Sequence, residues 1–164
     1  KPRRGDQHGL AVQQAAGDLG AVLQRTEADA AVEAFNGGGA PNATLWEGWV
    51  TQERQRFLQK LPRQLPRARL DALEGAFHLN ATGNSEVLFN WLELVVANHY
   101  DPGVESLTHF LSSQGRGKFV RPLYRKLMDQ GEWGRPIARR IYAQARPIYH
   151  PIVANAVDRI VTPA

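Results

Sequence analysis

The residues of this chain that could do chemistry are few, and they do not fall into a catalytic pattern. Its five histidines, His8, His78, His99, His109 and His150, each stand alone, with no two at the i and i+4 spacing that aims a pair of imidazoles at one metal ion. Cysteine is absent, which removes thiolate ligands, thiol nucleophiles and disulfides. No Gly-x-Ser-x-Gly elbow presents a serine, and Ser112 and Ser113 have no recognisable base beside them. The run Gly37-Gly38-Gly39 is not followed by Gly-Lys-Ser or Gly-Lys-Thr, so it reads as a loop and not as a phosphate cradle. The segment alone is therefore expected to be non-catalytic, with no catalytic residue, metal ligand or cofactor of its own.

One basic corner remains, Gly115-Arg116-Gly117-Lys118. A guanidinium and an ammonium stand on either side of a glycine at the predicted start of a helix, where side-chain bulk is low and first-turn amides favour negative charge. That combination suits a carboxylate. The same residues also fit a helix stop followed by two solvated charges, and pattern alone leaves both readings open.

The elements that must hold this corner are helices. Asn84 is a cap, Glu86 lies in the first turn where negative charge is favoured, and Val87, Leu88, Trp91, Leu92, Leu94 and Val95 recur at helical spacing. Asp101-Pro102 restarts the chain, and Leu107, Phe110 and Leu111 turn inward until Gly115. Beyond the corner, Phe119, Leu123, Tyr124 and Leu127 begin another apolar stripe. Upstream, an alanine-rich stretch from Leu10 to Phe35 reads as two helical pieces, with Val12, Leu19, Val22 and Leu23 inward and a break near Thr26. One helix is expected to run from Leu45 to Leu61 with Trp46, Trp49, Val50, Phe57 and Leu58 inward, ended by Pro62. Leu65-Pro66 opens the next, carrying Leu70, Leu73 and Phe77. Gly131 and Gly134 separate the last segments, one starting at Arg135-Pro136 and one carrying Ile152, Val153, Ala156, Val157 and Ile160 inward.

No stretch alternates apolar and polar residues between turn signals, so the fold class is all-α. Short connections imply antiparallel helix pairs stacked in a right-handed superhelix of ARM/HEAT type. At 164 residues with 43% apolar and 22% charged, the chain has the size and composition of one globular domain. Residues 1–9 are expected to form a flexible arm and residues 10–164 a single helical domain. The net charge of +4 is uneven: nine Lys or Arg between Gln114 and Arg146 face only Asp129 and Glu132. A second cluster runs from Arg54 to Arg69. Their alternation with apolar positions reads as solvated or domain-facing helix surface, not a nucleic-acid interface. No run reaches the roughly 18 apolar residues that cross a bilayer.

The runs Asn80-Ala81-Thr82-Gly83-Asn84-Ser85-Glu86, Phe89-Asn90-Trp91-Leu92, Gln114-Gly115-Arg116-Gly117-Lys118-Phe119 and Arg121-Pro122-Leu123-Tyr124, with the ending Ile160-Val161-Thr162-Pro163, carry a resemblance. They are similar to the C-terminal helical domain of the M1 zinc aminopeptidases, in the branch of leukotriene A4 hydrolase and aminopeptidase B. The likeness is firm from Thr51 onward and looser from about residue 15. It implies a parent zinc metalloaminopeptidase that hydrolyses N-terminal residues from short peptides, with zinc and the catalytic domain upstream in the same polypeptide. It also implies that Arg116 and Lys118 meet the carboxylate end of the substrate. Gly117 stands where leukotriene A4 hydrolase has a larger residue, and aminopeptidase B has a lysine in place of Arg116. Family members are commonly cytoplasmic, while a parent with an export signal would be periplasmic or secreted. The alternative is a free-standing helical-repeat module that binds a protein or an RNA through a basic concave face.

Overall fold

The computed structural model describes residues 27–162. The chain divides into two compact units, Lys1–Leu61 and Pro62–Ala164. Among the described residues all regular structure is helical, and no helix there is long and apolar enough to cross a membrane. The expected arm at 1–9 and the helical pieces before Glu27 lie outside the described residues, as does Pro163.

In the first unit, α1 (27–36), α2 (Ala43–Gly48) and α3 (Thr51–Lys60) gather an aromatic core. Phe35, Trp46 and Trp49 surround Phe57 with ring centroids 5.8 to 6.4 Å away, tilted or edge-on as ring quadrupoles prefer. Asn42 caps α2 by accepting from the Leu45 amide at 3.1 Å. The single helix expected over Leu45–Leu61 is instead two, because the chain turns extended at Trp49 and Val50. Gly48 weakens continuation there, and the turn lets the Trp49 indole donate to Glu27 at 3.1 Å while its ring joins the core. Arg54 then donates to the Trp46 carbonyl at 3.0 Å, a second donor there beside the Trp49 amide at the end of α2. Val50, expected inward, is 63% exposed.

The second unit comprises α4 (Arg67–Phe77), α5 (Ser85–Ala97), α6 (Val104–Ser113), α7 (Gly117–Asp129), α8 (Gly131–Ala145) and α9 (Pro151–Val161), with one-turn 3-10 segments before α5, α6 and α9. As the sequence indicates, Asn84 caps α5, accepting from the Glu86 and Val87 amides at 3.0 and 3.3 Å. Within this unit α5 packs on α7, α6 on α8 and α7 on α8 and α9. From α5 to α7, then, each helix meets the one two places on, as the helices of successive hairpins do when they lie in two layers. Trp91, Leu92, Leu107, Leu111, Leu123 and Tyr124 are fully buried at this junction.

Two expectations are corrected here. The chain does not break between Gly131 and Arg135; α8 runs continuously through Gly134 and Pro136. Gly134 serves contact instead: a Cβ there would lie 1.9 Å from the Leu127 carbonyl oxygen, so α7 and α8 close on each other only because it has no side chain. On α9 the buried set is Val153, Ala154, Val157 and Val161, and Ile152 is 65% exposed. His150 caps that helix by accepting from the Ile152 amide, and Tyr149 just before it is drawn into the core, which fixes the helix rotation.

Tyrosine hydroxyls finish the core. Tyr149 donates to the Leu111 carbonyl, one of the last four of α6 and so without a partner in its own helix. With its only proton committed, Tyr149 accepts from Tyr124 at 3.0 Å. Burial, reinforced by that hydrogen bond, pushes the Tyr124 hydroxyl well above its usual range. Tyr142 reaches the Ala154 carbonyl at 2.7 Å and the Asp158 carboxylate, and burial first, then Asp158, pushes it up to about 12.

Candidate functional site

The basic corner forms where α6 ends and α7 begins. Ser113 is the last residue of α6, and Gln114 leaves in extended conformation, so the helix stops without a left-handed glycine. Gln114 ties the corner down. Its side-chain oxygen accepts from the Arg116 amide at 3.2 Å, and its amide group lies 3.4 Å from the Ser85 hydroxyl in the first turn of α5. Arg116 is the N-cap residue of α7, and its carbonyl accepts from Phe119 and Val120 at 3.0 and 3.1 Å.

Arg116 and Lys118 are therefore held on one turn, both exposed to solvent. Beneath them Phe119 is buried, its centroid 5.9 Å from the Arg116 guanidinium carbon and 4.7 Å from the Lys118 ammonium. Both distances lie within the reach of cation–π attraction. Phe89 from α5 and Phe110 from α6 pack on the same ring at 5.3 and 5.7 Å. The cations thus stand on an aromatic base built by three helices.

The two cations differ in company. Lys118 is paired with Glu86 of α5 at 2.7 Å, the side chains 52% and 40% exposed. No acid pairs with Arg116 among the described residues. A third cation, Arg121, reaches back one turn: a Cβ on Gly117 would lie 3.2 Å from its Nε. The bare α-carbon of Gly117 is thus covered by a guanidinium, while beside Gly115 nothing lies within 4 Å of a Cβ position. Of the two glycines expected to leave room for an approaching group, Gly115 does and Gly117 does not. The Arg121 Nε is buried and has no hydrogen-bond partner among the described residues. Pro122 follows inside α7 and offers no N–H to the Lys118 carbonyl.

Pattern reading missed Glu86, Gln114 and Arg121 as members of the site. Glu86 was legible only as a helix-start charge, because its partner lies 32 residues away. Two of the described histidines have structural roles: His150 caps α9, and His99 stacks on Trp133 at 4.6 Å while meeting Gln130 at 2.8 Å. His109 lines two hollows of 520 Å³ on α6, neither of which includes Arg116 or Lys118.

A family model described as "Leukotriene A4 hydrolase, C-terminal" matches residues 49–161, most of the chain and all of the corner. The chain belongs to that family. Its relatives include mouse (Mus musculus) aminopeptidase B, 28% identical over 118 residues, which cover 70% of this chain and 18% of that protein. Leukotriene A-4 hydrolase of Xenopus laevis is 30% identical over 99 residues, covering 60% of this chain and 16% of that protein. The chain thus spans less than a fifth of the length of these relatives. Among solved structures, native yeast LTA4 hydrolase matches with a TM-score of 0.67 at 22% identity, over 86% of this chain and 26% of that one, a likeness of fold. Among the described residues, no group of three or more His, Asp or Glu side chains is placed to hold a metal ion.

Proposed function

We propose that this domain walls the active-site cleft of an M1 zinc aminopeptidase and that Arg116 and Lys118 receive the carboxylate end of its peptide substrates. Zinc and the residues that act with it belong, in this reading, to a catalytic domain upstream in the same polypeptide, which suits a chain matching 18% of aminopeptidase B. The carrying observation is the corner itself: two exposed cations on one turn, one of them without an acid partner among the described residues, above an aromatic base. The packing of α5 on α7, α6 on α8 and α7 on α9 supports the stacked hairpins of the expected superhelix, whose right-handed winding is taken from the family. By the same family argument the parent enzyme works in the cytoplasm.

Magnitudes indicate why the domain would not act alone. An ion pair in open solvent contributes about 0–1 kcal/mol, too little to hold a peptide. A charge-assisted contact shielded from water contributes about 1.5–3 kcal/mol, which is roughly tenfold to a hundredfold in affinity or rate. The clamp therefore depends on a neighbouring domain to enclose it.

The test is Arg116→Ala in the full-length enzyme. Its kcat/KM should fall roughly tenfold or more for short peptides with a free C-terminus and change little for the matching amides or anilides. Equal losses on both classes would remove the clamp.

A further inference from the structure

Resting on the clamp just described, we infer that Glu86 is a specificity-determining residue that disfavours substrates carrying a second negative charge beside their C-terminus. The Glu86 carboxylate lies 2.7 Å from the Lys118 ammonium, and the two come from the first turns of different helices, α5 and α7. Gln114 joins those same two turns through Ser85 and the Arg116 amide, so the acid and the cations keep a set spacing.

An ammonium has three N–H donors, and Glu86 occupies one direction of approach. The rest of Lys118, together with Arg116, suffices for one carboxylate. Among the described residues named here, Arg116, Lys118 and Arg121 are the corner's cations and Glu86 its acid. A peptide ending in Asp or Glu would bring its side-chain carboxylate next to the terminal one, hence near Glu86, where like charges repel. A peptide ending in Leu or Phe brings one negative charge and an apolar side chain. For that side chain, half-buried Phe89 stands three residues from Glu86 on the same helix.

The experiment compares Glu86→Gln with the parent, full-length enzyme on paired peptides identical except for a C-terminal Glu or Leu. Removing the charge also releases Lys118 and strengthens binding of both peptides, so the informative quantity is the ratio of their kcat/KM values. That ratio, Glu-ended over Leu-ended, should rise about tenfold, the size of a charge contact that the neighbouring domain shields from water. Glu86→Asp, which restores the charge, should return the ratio toward that of the parent. A loss of helix-start stabilisation alone would lower activity on both peptides and leave the ratio unmoved.

Arg116→Ala measured alongside separates the two levels of the reading. If it impairs both free-acid peptides while Glu86→Gln leaves the ratio unchanged, the clamp stands and the role of Glu86 is overturned. If Arg116→Ala affects neither peptide, the clamp fails and the inference about Glu86 falls with it.

Discussion

The tyrosine relay in the core of the second unit has a direction, and the direction sets unequal costs for substitutions that look alike. Tyr149→Phe removes one oxygen and leaves the ring's shape, so no cavity opens. It strands two groups: the buried end-of-helix carbonyl of Leu111 loses its donor, and the Tyr124 hydroxyl loses its acceptor. Each stranded polar group costs about 1–3 kcal/mol, for a total of about 2–6 kcal/mol. Tyr124→Phe removes only the outer donor, because Tyr149 keeps its bond to Leu111; about 0.5–1.5 kcal/mol is expected. The double variant should be no worse than Tyr149→Phe, since taking away the Tyr124 hydroxyl also removes one stranded group. Urea unfolding of the 164-residue chain, followed by circular dichroism with m held common, gives all three values and the coupling between the sites. Equal losses for the two single variants, or strict additivity in the double, would refute the assigned direction.

Two further outcomes follow from the same core. Gly134→Ala places a methyl 1.9 Å from the Leu127 carbonyl oxygen, a backbone atom, so α7 and α8 must part; a loss of about 1–3 kcal/mol or more is expected, read as a lower unfolding midpoint, whereas Gly83→Ala, with nothing within 4 Å, should be mild. The Asp158 carboxyl is held down at about 2, by the paired Arg146 guanidinium first and then by Tyr142. A folded pKa below the unfolded value gives stability that is present above about pH 4 and lost as pH falls toward about 2, so Asp158→Asn should flatten that part of an acid-unfolding profile and leave the neutral part merely lowered.

Local signals were legible where a residue's effect stays in its own helix. Asn84, the stripe from Val87 to Val95 and the inward faces of α4 and α6 act within a turn or two, and all appear as expected. Misreadings arose where a distant group decided the local conformation. Trp49 leaves the helix with its indole on Glu27, Gly134 is small for the sake of Leu127, and Ile152 faces solvent because His150 and Tyr149 fix the rotation of α9. At the corner, the glycines marked Arg116 and Lys118 as a place of interest. The acid beside Lys118 and the guanidinium over Gly117 were invisible, because pairing across helices leaves no periodic trace.

Pro122 divides the helix it belongs to. Upstream, the turn bearing Arg116 and Lys118 is fastened to the remainder with one backbone hydrogen bond fewer than a regular helix would have. Downstream, Leu123, Tyr124 and Leu127 are wedged among three other helices. The upstream turn is therefore held to the rest less by the helix ladder than by Gln114, Glu86 and the packing of Phe119, and the proposed clamp would need those contacts intact.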